Sequence, residues 1–237
     1  MTDDSRPAPH AHHLRVQRTA RYYTLGGGSL RVKTIWFLLH GYGQLAGEFI
    51  RYFTDLGSDA SLLVAPEAMN RFYLPVAEPT PSRDRSVGAS WMTREDRASE
   101  IADYVEYLDA LFDEITSNTA NADGVRPAIN VVGFSQGGAT ATRWVTHGRA
   151  RIDRLILWGS LLPPETDLSP GRALRRAQLT LVVGDRDQYI DDAGFAAERA
   201  RLDAAMVPYD AIRFEGGHVV RRGVFPQLTH TSGASGQ

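Results

Sequence analysis

Short apolar runs alternate along this chain with longer stretches in which apolar residues return every three or four positions. Runs of the first kind occupy 22–25, 34–39, 61–65, 128–132, 154–158, 179–183 and 211–214. Most are apolar throughout rather than at every second residue, as expected of strands covered on both faces in a parallel sheet. Stretches of the second kind predict helices over 47–56, 94–116, 136–147 and 191–206. The second is the clearest: Ile101, Tyr104, Val105, Leu108, Leu111, Phe112 and Ile115 share one helical face. Thr93 stands before it as the expected N-cap, ahead of Glu95 and Asp96. Strand–helix alternation of this kind predicts an α/β fold, a doubly wound and mostly parallel sheet with helices on both faces. In such sheets functional groups gather at the carboxyl ends of the strands.

Composition narrows the field. The 237 residues are 43% apolar, enough to bury one large core. With no repeat or linker between them, the expected organisation is a single domain over 18–230. It lies between two flexible ends, 1–17 (Asp, Pro and His) and 231–237 (Thr, Ser and Gly). A net charge of −2 gives no reason to expect nucleic acid or an acidic membrane surface as partner. The absence of cysteine removes disulfides, thiolate metal sites and a cysteine nucleophile together. No apolar run has the length of a membrane span, and 1–16 lacks the apolar centre of a signal peptide. The expectation is a cytoplasmic protein acting on a small molecule, with monomer and dimer both open.

Gly133-Phe134-Ser135-Gln136-Gly137 follows the apolar run at 129–132 and opens a predicted helix. G-x-S-x-G between strand and helix describes a nucleophile elbow, a turn so tight that only small neighbours fit. A serine hydroxyl is protonated at neutral pH and needs a base, which in turn needs an acid to fix its tautomer. On an elbow-bearing fold the chain order is Ser, acid, His. Asp187, in Gly184-Asp185-Arg186-Asp187-Gln188-Tyr189-Ile190 after a strand, is the candidate acid and Asp185 the candidate loop brace, with a swap of the two roles open. His218, in Glu215-Gly216-Gly217-His218 after the last strand, is the candidate base. His10, His12 and His13 lie in the N-terminal end, His147 ends a helix and His230 sits in the tail. His40 is the other strand-end histidine, expected to pack beneath its loop and bond main chain. Leu39-His40-Gly41-Tyr42-Gly43 should supply half of an oxyanion hole, the N–H of Tyr42, and Gln136 the other half. The long segment 66–91 reads as a loop. Phe72, Trp91 and Met92 in and beside it either line a substrate pocket or pin the loop to the core, and Leu161 is a further candidate wall.

L-H-G-Y-G, G-F-S-Q-G-G, G-D-R-D-Q-Y-I and G-G-H together resemble the α/β-hydrolase superfamily. More narrowly the set is similar to the phospholipase/carboxylesterase family, small single-domain serine esterases that include acyl-protein thioesterases. The resemblance spans roughly 35 to 218. It implies an α/β-hydrolase fold, with Asp187 at the position of the family's acid. It also implies hydrolysis of a carboxylic ester or thioester through an acyl-enzyme, with no cofactor. Two departures stand out: Gln44-Leu45 replaces the Gly-Asp that often follows the family's H-G-x-G, and 66–91 lacks the thioesterase pattern. Both favour a general esterase of short to medium acyl chains over a protein deacylase.

Overall fold

A computed structural model of the chain describes residues 9–28, 31–78, 81–119 and 125–229. The expectations for 1–8, for His230 and for the tail 231–237 lie outside the described residues. Among the described residues nine strands form: β1 (Tyr22–Gly26), β2 (Thr34–Leu39), β3 (Ser61–Pro66), β4 (Asn70–Tyr73), β5 (Val87–Ser90), β6 (Ala128–Phe134), β7 (Arg154–Trp158), β8 (Gln178–Gly184) and β9 (Tyr209–Phe214). Five α-helices accompany them: α1 (Ala46–Phe49), α2 (Arg97–Asn118), α3 (Gln136–His147), α4 (Asp192–Ala204) and α5 (Phe225–Thr229). Seven strands make one sheet in the order β1-β3-β2-β6-β7-β8-β9, parallel except for β1.

The pleat sorts the side chains of the inner strands β2, β3, β6, β7 and β8 into two cores. Ile35, Phe37, Val131, Leu155 and Leu157 face α2, α3 and α4, where Leu108, Trp144 and Phe195 meet them. Trp36, Leu38, Val132, Ile156 and Trp158 face the opposite layer, built from Phe49, Phe53, Phe225 and Leu228. Both faces of the strands are therefore buried, which is why their runs read as continuously apolar. No helix among the described residues is long and apolar enough to cross a membrane.

Four local expectations need correction. The run at 47–56 is a single α-turn followed by a 3₁₀ helix, Ile50–Leu56, rather than one α-helix. α2 begins at Arg97, after Asp96 in a left-handed conformation (φ 45°), so Thr93 is not its N-cap. Thr93 Oγ1 instead accepts from the N–H of Glu95 at 3.1 Å, closing a local turn that competes with the helix start. Segment 66–91 is not simply a loop, because β4 and β5 pair across it as an antiparallel ribbon. The ribbon carries aromatics on a short two-stranded element, and no long periodicity announces it. The small α5, which closes the second core, also lay below the length at which periodicity speaks.

Candidate active site

The chain leaves β2 in one direction toward β3 and later returns to β2's other side as β6. That reversal opens a crevice beyond the carboxyl ends of β2 and β6. Leu39 pairs with Gly133 across the two strands, so the loop at 40–45 and the turn at Ser135 start side by side. Their closeness leaves no room for side chains. A Cβ on Gly137 would lie 2.2 Å from the carbonyl oxygen of Leu39, and one on Gly133 would lie 2.4 Å from that of Gly137. Ser135 itself has φ 53° and ψ −120°, a strained conformation for a residue with a side chain. Such strain costs about 1–3 kcal/mol and persists only where the surroundings enforce it. Here its N–H donates to Trp158 O at 2.9 Å and its carbonyl accepts from Gly138 N–H at 2.9 Å.

β8 and β9 carry the second half of the site. Their ladder continues past the strands, with Asp185 N–H donating to Phe214 O and Arg186 N–H to Gly216 O, each at 2.9 Å. Asp185 Oδ1 adds a bond from Gly216 N–H at 2.8 Å, and that bond holds its carboxyl below the usual range. Two glycine-bearing loops are thereby laced into one rim. On that rim His218 Nδ1 lies 2.8 Å from Asp187 Oδ2. The Asp187 side chain is 1% exposed and that of His218 9%. The other Asp187 oxygen accepts from the N–H groups of Tyr189 (2.9 Å) and Ile190 (3.2 Å). A carboxylate so surrounded assigns the proton to Nδ1 and leaves Nε2 as a lone-pair acceptor. Nε2 is buried and makes no hydrogen bond. The imidazole lies tilted against Phe134, the residue before Ser135, at 4.8 Å between ring centres, and meets the Tyr189 ring edge-to-face at 4.6 Å. Its Cε1 side abuts Gly159, where a Cβ would come within 2.9 Å.

His40 lies in the core beneath its loop, as expected. Its Nδ1–H donates to Gly41 O at 2.8 Å and its Nε2 accepts from Ala68 N–H at 3.1 Å. Burial pushes its pKa down, so it stays neutral as both bonds require. Gln44 accepts the Gly41 N–H on its Oε1 at 2.8 Å and so folds the turn ahead of Tyr42. Gly43 N–H donates to Ala89 O and Ala89 N–H to Gln44 O, joining this turn to β5. The carboxyl of Glu67 is buried between Arg21 and Arg71 and accepts from Ala46 N–H at the start of α1. Burial works to raise its pKa, but the guanidiniums of Arg71 and Arg21 together outweigh this and hold it below the usual range. Among the described residues no acceptor engages the N–H of Tyr42 or of Gln136, the two expected oxyanion donors. Gln136 starts α3, where the first N–H groups have no partner inside the helix.

The candidate pocket residues separate. Phe72 is half-buried and stacks on Tyr42 at 5.1 Å, at the edge of the crevice. Trp91 is only 2% exposed, with its indole N–H on His40 O, the position of a pin rather than an open wall. Met92 is half-buried, with its sulfur 3.6 Å from Arg143 and its carbonyl accepting the Gln136 side-chain amide at 2.7 Å. Leu161 packs against the first core. Sequence reasoning missed Tyr189, Phe134 and Gly159 as neighbours of His218. Tyr189 alone carried a signal, lying two residues past the acid, where an Asp side chain takes main-chain N–H groups.

No protein-family model matches the chain, and no curated protein matches it in sequence. Solved structures do match in three dimensions. The esterase PE8 superposes with a TM-score of 0.62 at 22% identity, over 90% of this chain and 97% of that one. A carboxylesterase from Mesorhizobium loti gives 0.64 at 17% identity, over 88% and 92%. Acyl-protein thioesterase 2 from Zea mays gives 0.63 at 16%, over 89% and 96%. At these identities the likeness establishes the fold: this chain has the α/β-hydrolase fold.

Proposed function

We propose that this protein is a serine hydrolase of carboxylic esters, using Ser135, His218 and Asp187 as nucleophile, base and acid. The observation that carries the reading is the 2.8 Å contact of Asp187 and His218 on the rim that also bears the strained Ser135. His218 Nε2 takes the proton of the Ser135 hydroxyl as Oγ attacks the ester carbonyl. The oxyanion that forms rests on the N–H groups of Tyr42 and Gln136, the latter at the positive end of α3. The tetrahedral species then breaks its bond to the alcohol oxygen, which receives the proton from His218. Water, deprotonated by the same base, releases the acid from Ser135. Asp187 holds the imidazole and stabilises its cation without becoming protonated. No cofactor enters any of these steps.

The fold neighbours named an esterase, a carboxylesterase and an acyl-protein thioesterase support the reaction class. The departures of Gln44-Leu45 from the family's pattern and of the segment 66–91 from the thioesterase pattern favour esters over protein-bound thioesters. A fluorophosphonate probe tests the reading. It should modify Ser135 covalently, and Ser135→Ala should lose both labelling and ester hydrolysis, the latter by up to about a million-fold in kcat. Absence of an adduct on Ser135 in the folded protein would instead favour a binding protein built on this fold. Rates on nitrophenyl esters of increasing acyl length, set beside an acyl thioester, separate esterase from thioesterase.

A further inference from the structure

Tyr189 is 74% exposed, yet both ends of its placement are fixed. Its N–H donates to Asp187 Oδ1 at 2.9 Å, and its ring centre stands 4.6 Å from that of His218, inclined at 68°. Phe134, which is buried, also packs against the imidazole, and Gly159 abuts its Cε1. Of these neighbours of the imidazole only Tyr189 is exposed, so a group that reaches the base from solvent meets the Tyr189 ring. Its hydroxyl engages no group among the described residues, so the ring is not held by that end.

Chemistry decides what passes there. If His218 protonates the leaving oxygen, the alcohol half of the ester must sit beside His218 when its bond to the carbonyl carbon breaks. The acyl half stays on Ser135, on the side of the Tyr42 and Gln136 donors. A large, exposed ring at the alcohol's exit favours a flat apolar partner, through offset or edge-to-face contact. We propose that Tyr189 is the specificity-determining residue of a leaving-group subsite that selects esters of aryl or arylmethyl alcohols. This deepens the serine-hydrolase reading and rests on it.

Two properties make the proposal testable without disturbing the acid. The bond to Asp187 comes from the Tyr189 main chain, so a side-chain substitution leaves it in place. The alcohol has departed before deacylation, so a residue that acts on the alcohol cannot act on that step. Benzyl acetate and cyclohexylmethyl acetate share an acyl group and differ in the flatness of the alcohol. Tyr189→Leu should lower the ratio of their kcat/KM values about tenfold, while Tyr189→Phe keeps it within about twofold. The rate at which the acetyl-enzyme hydrolyses, read after a burst with nitrophenyl acetate, should be the same in both variants and the parent. Tyr189→Trp provides a variant with a larger ring, expected to raise the ratio, an outcome that misfolding does not mimic.

An unchanged ratio in both Tyr189→Leu and Tyr189→Trp would overturn the subsite. So would a loss in deacylation as large as the loss in acylation, which would make Tyr189 a positioning residue for His218. Failure of the underlying reading looks different: no acetyl group on Ser135 by mass spectrometry in the parent protein.

Discussion

The indole N–H of Trp91 donates to the main-chain oxygen of His40 at 2.8 Å, joining the end of the ribbon to the loop that leads into Gly41. Both groups are buried, and the Trp91 ring also packs against those of His40 and Tyr104. Trp91→Phe keeps most of the packing but leaves the His40 carbonyl without its donor. An unsatisfied buried acceptor costs about 1–3 kcal/mol. Urea unfolding should show the free energy of unfolding reduced by that amount, read as a lowered midpoint at unchanged slope, and an unchanged midpoint would mean the carbonyl finds another donor.

Asp185 and Asp187 lie two residues apart but meet different partners. Asp187 faces His218, whereas Asp185 takes the Gly216 N–H. Asp187→Asn should lower kcat by about four orders of magnitude, because the amide favours the wrong imidazole tautomer. Asp185→Asn still offers an oxygen to Gly216 and should cost less than about tenfold. Steady-state kinetics on one ester compares the two. Reversal of that order would reassign the acid.

The buried His40 imidazole is kept neutral, with its pKa held below the ordinary histidine value by burial. As pH drops, the unfolded chain takes up this proton before the folded one does. Stability from this group is complete above the ordinary value and is lost as pH falls through about 6.5 toward the lowered one, by up to about 1.4 kcal/mol per pH unit. Chemical denaturation between about pH 7.5 and about pH 5.5 should give a steeper decline for the parent than for His40→Asn. Parallel curves would refute the assignment.

Gly137→Ala pushes a methyl group to 2.2 Å from Leu39 O, against main chain that cannot swing aside. Gly223→Ala meets nothing within 4 Å. The first substitution should reduce soluble yield and abolish fluorophosphonate labelling, at a cost of about 1–3 kcal/mol or more. The second should be neutral or stabilising by up to about 1 kcal/mol. Thermal unfolding of the pair reads the difference, and a well-folded, fully labelled Gly137→Ala protein would show that the elbow is not built as described.

Continuous apolar runs determined the parallel strands by themselves, because burial on both faces demands an apolar residue at every position. β2 and β7 match the expected bounds, and β3, β6 and β8 differ only by a residue or two at their ends. The sequence likewise contained the tight turn at Ser135 and the order of the proposed triad, Ser135, Asp187, His218, since a tight turn restricts its neighbours locally. It was silent where partners come from remote elements. Only the laced loops after β8 and β9 separate Asp187 from Asp185. Only the tertiary structure brings Phe134, Gly159 and the Tyr189 ring together around His218. The two-stranded ribbon and the burial of Trp91 belong to the same class. Their contacts link residues far apart in sequence, and no local period in the chain encodes such pairings.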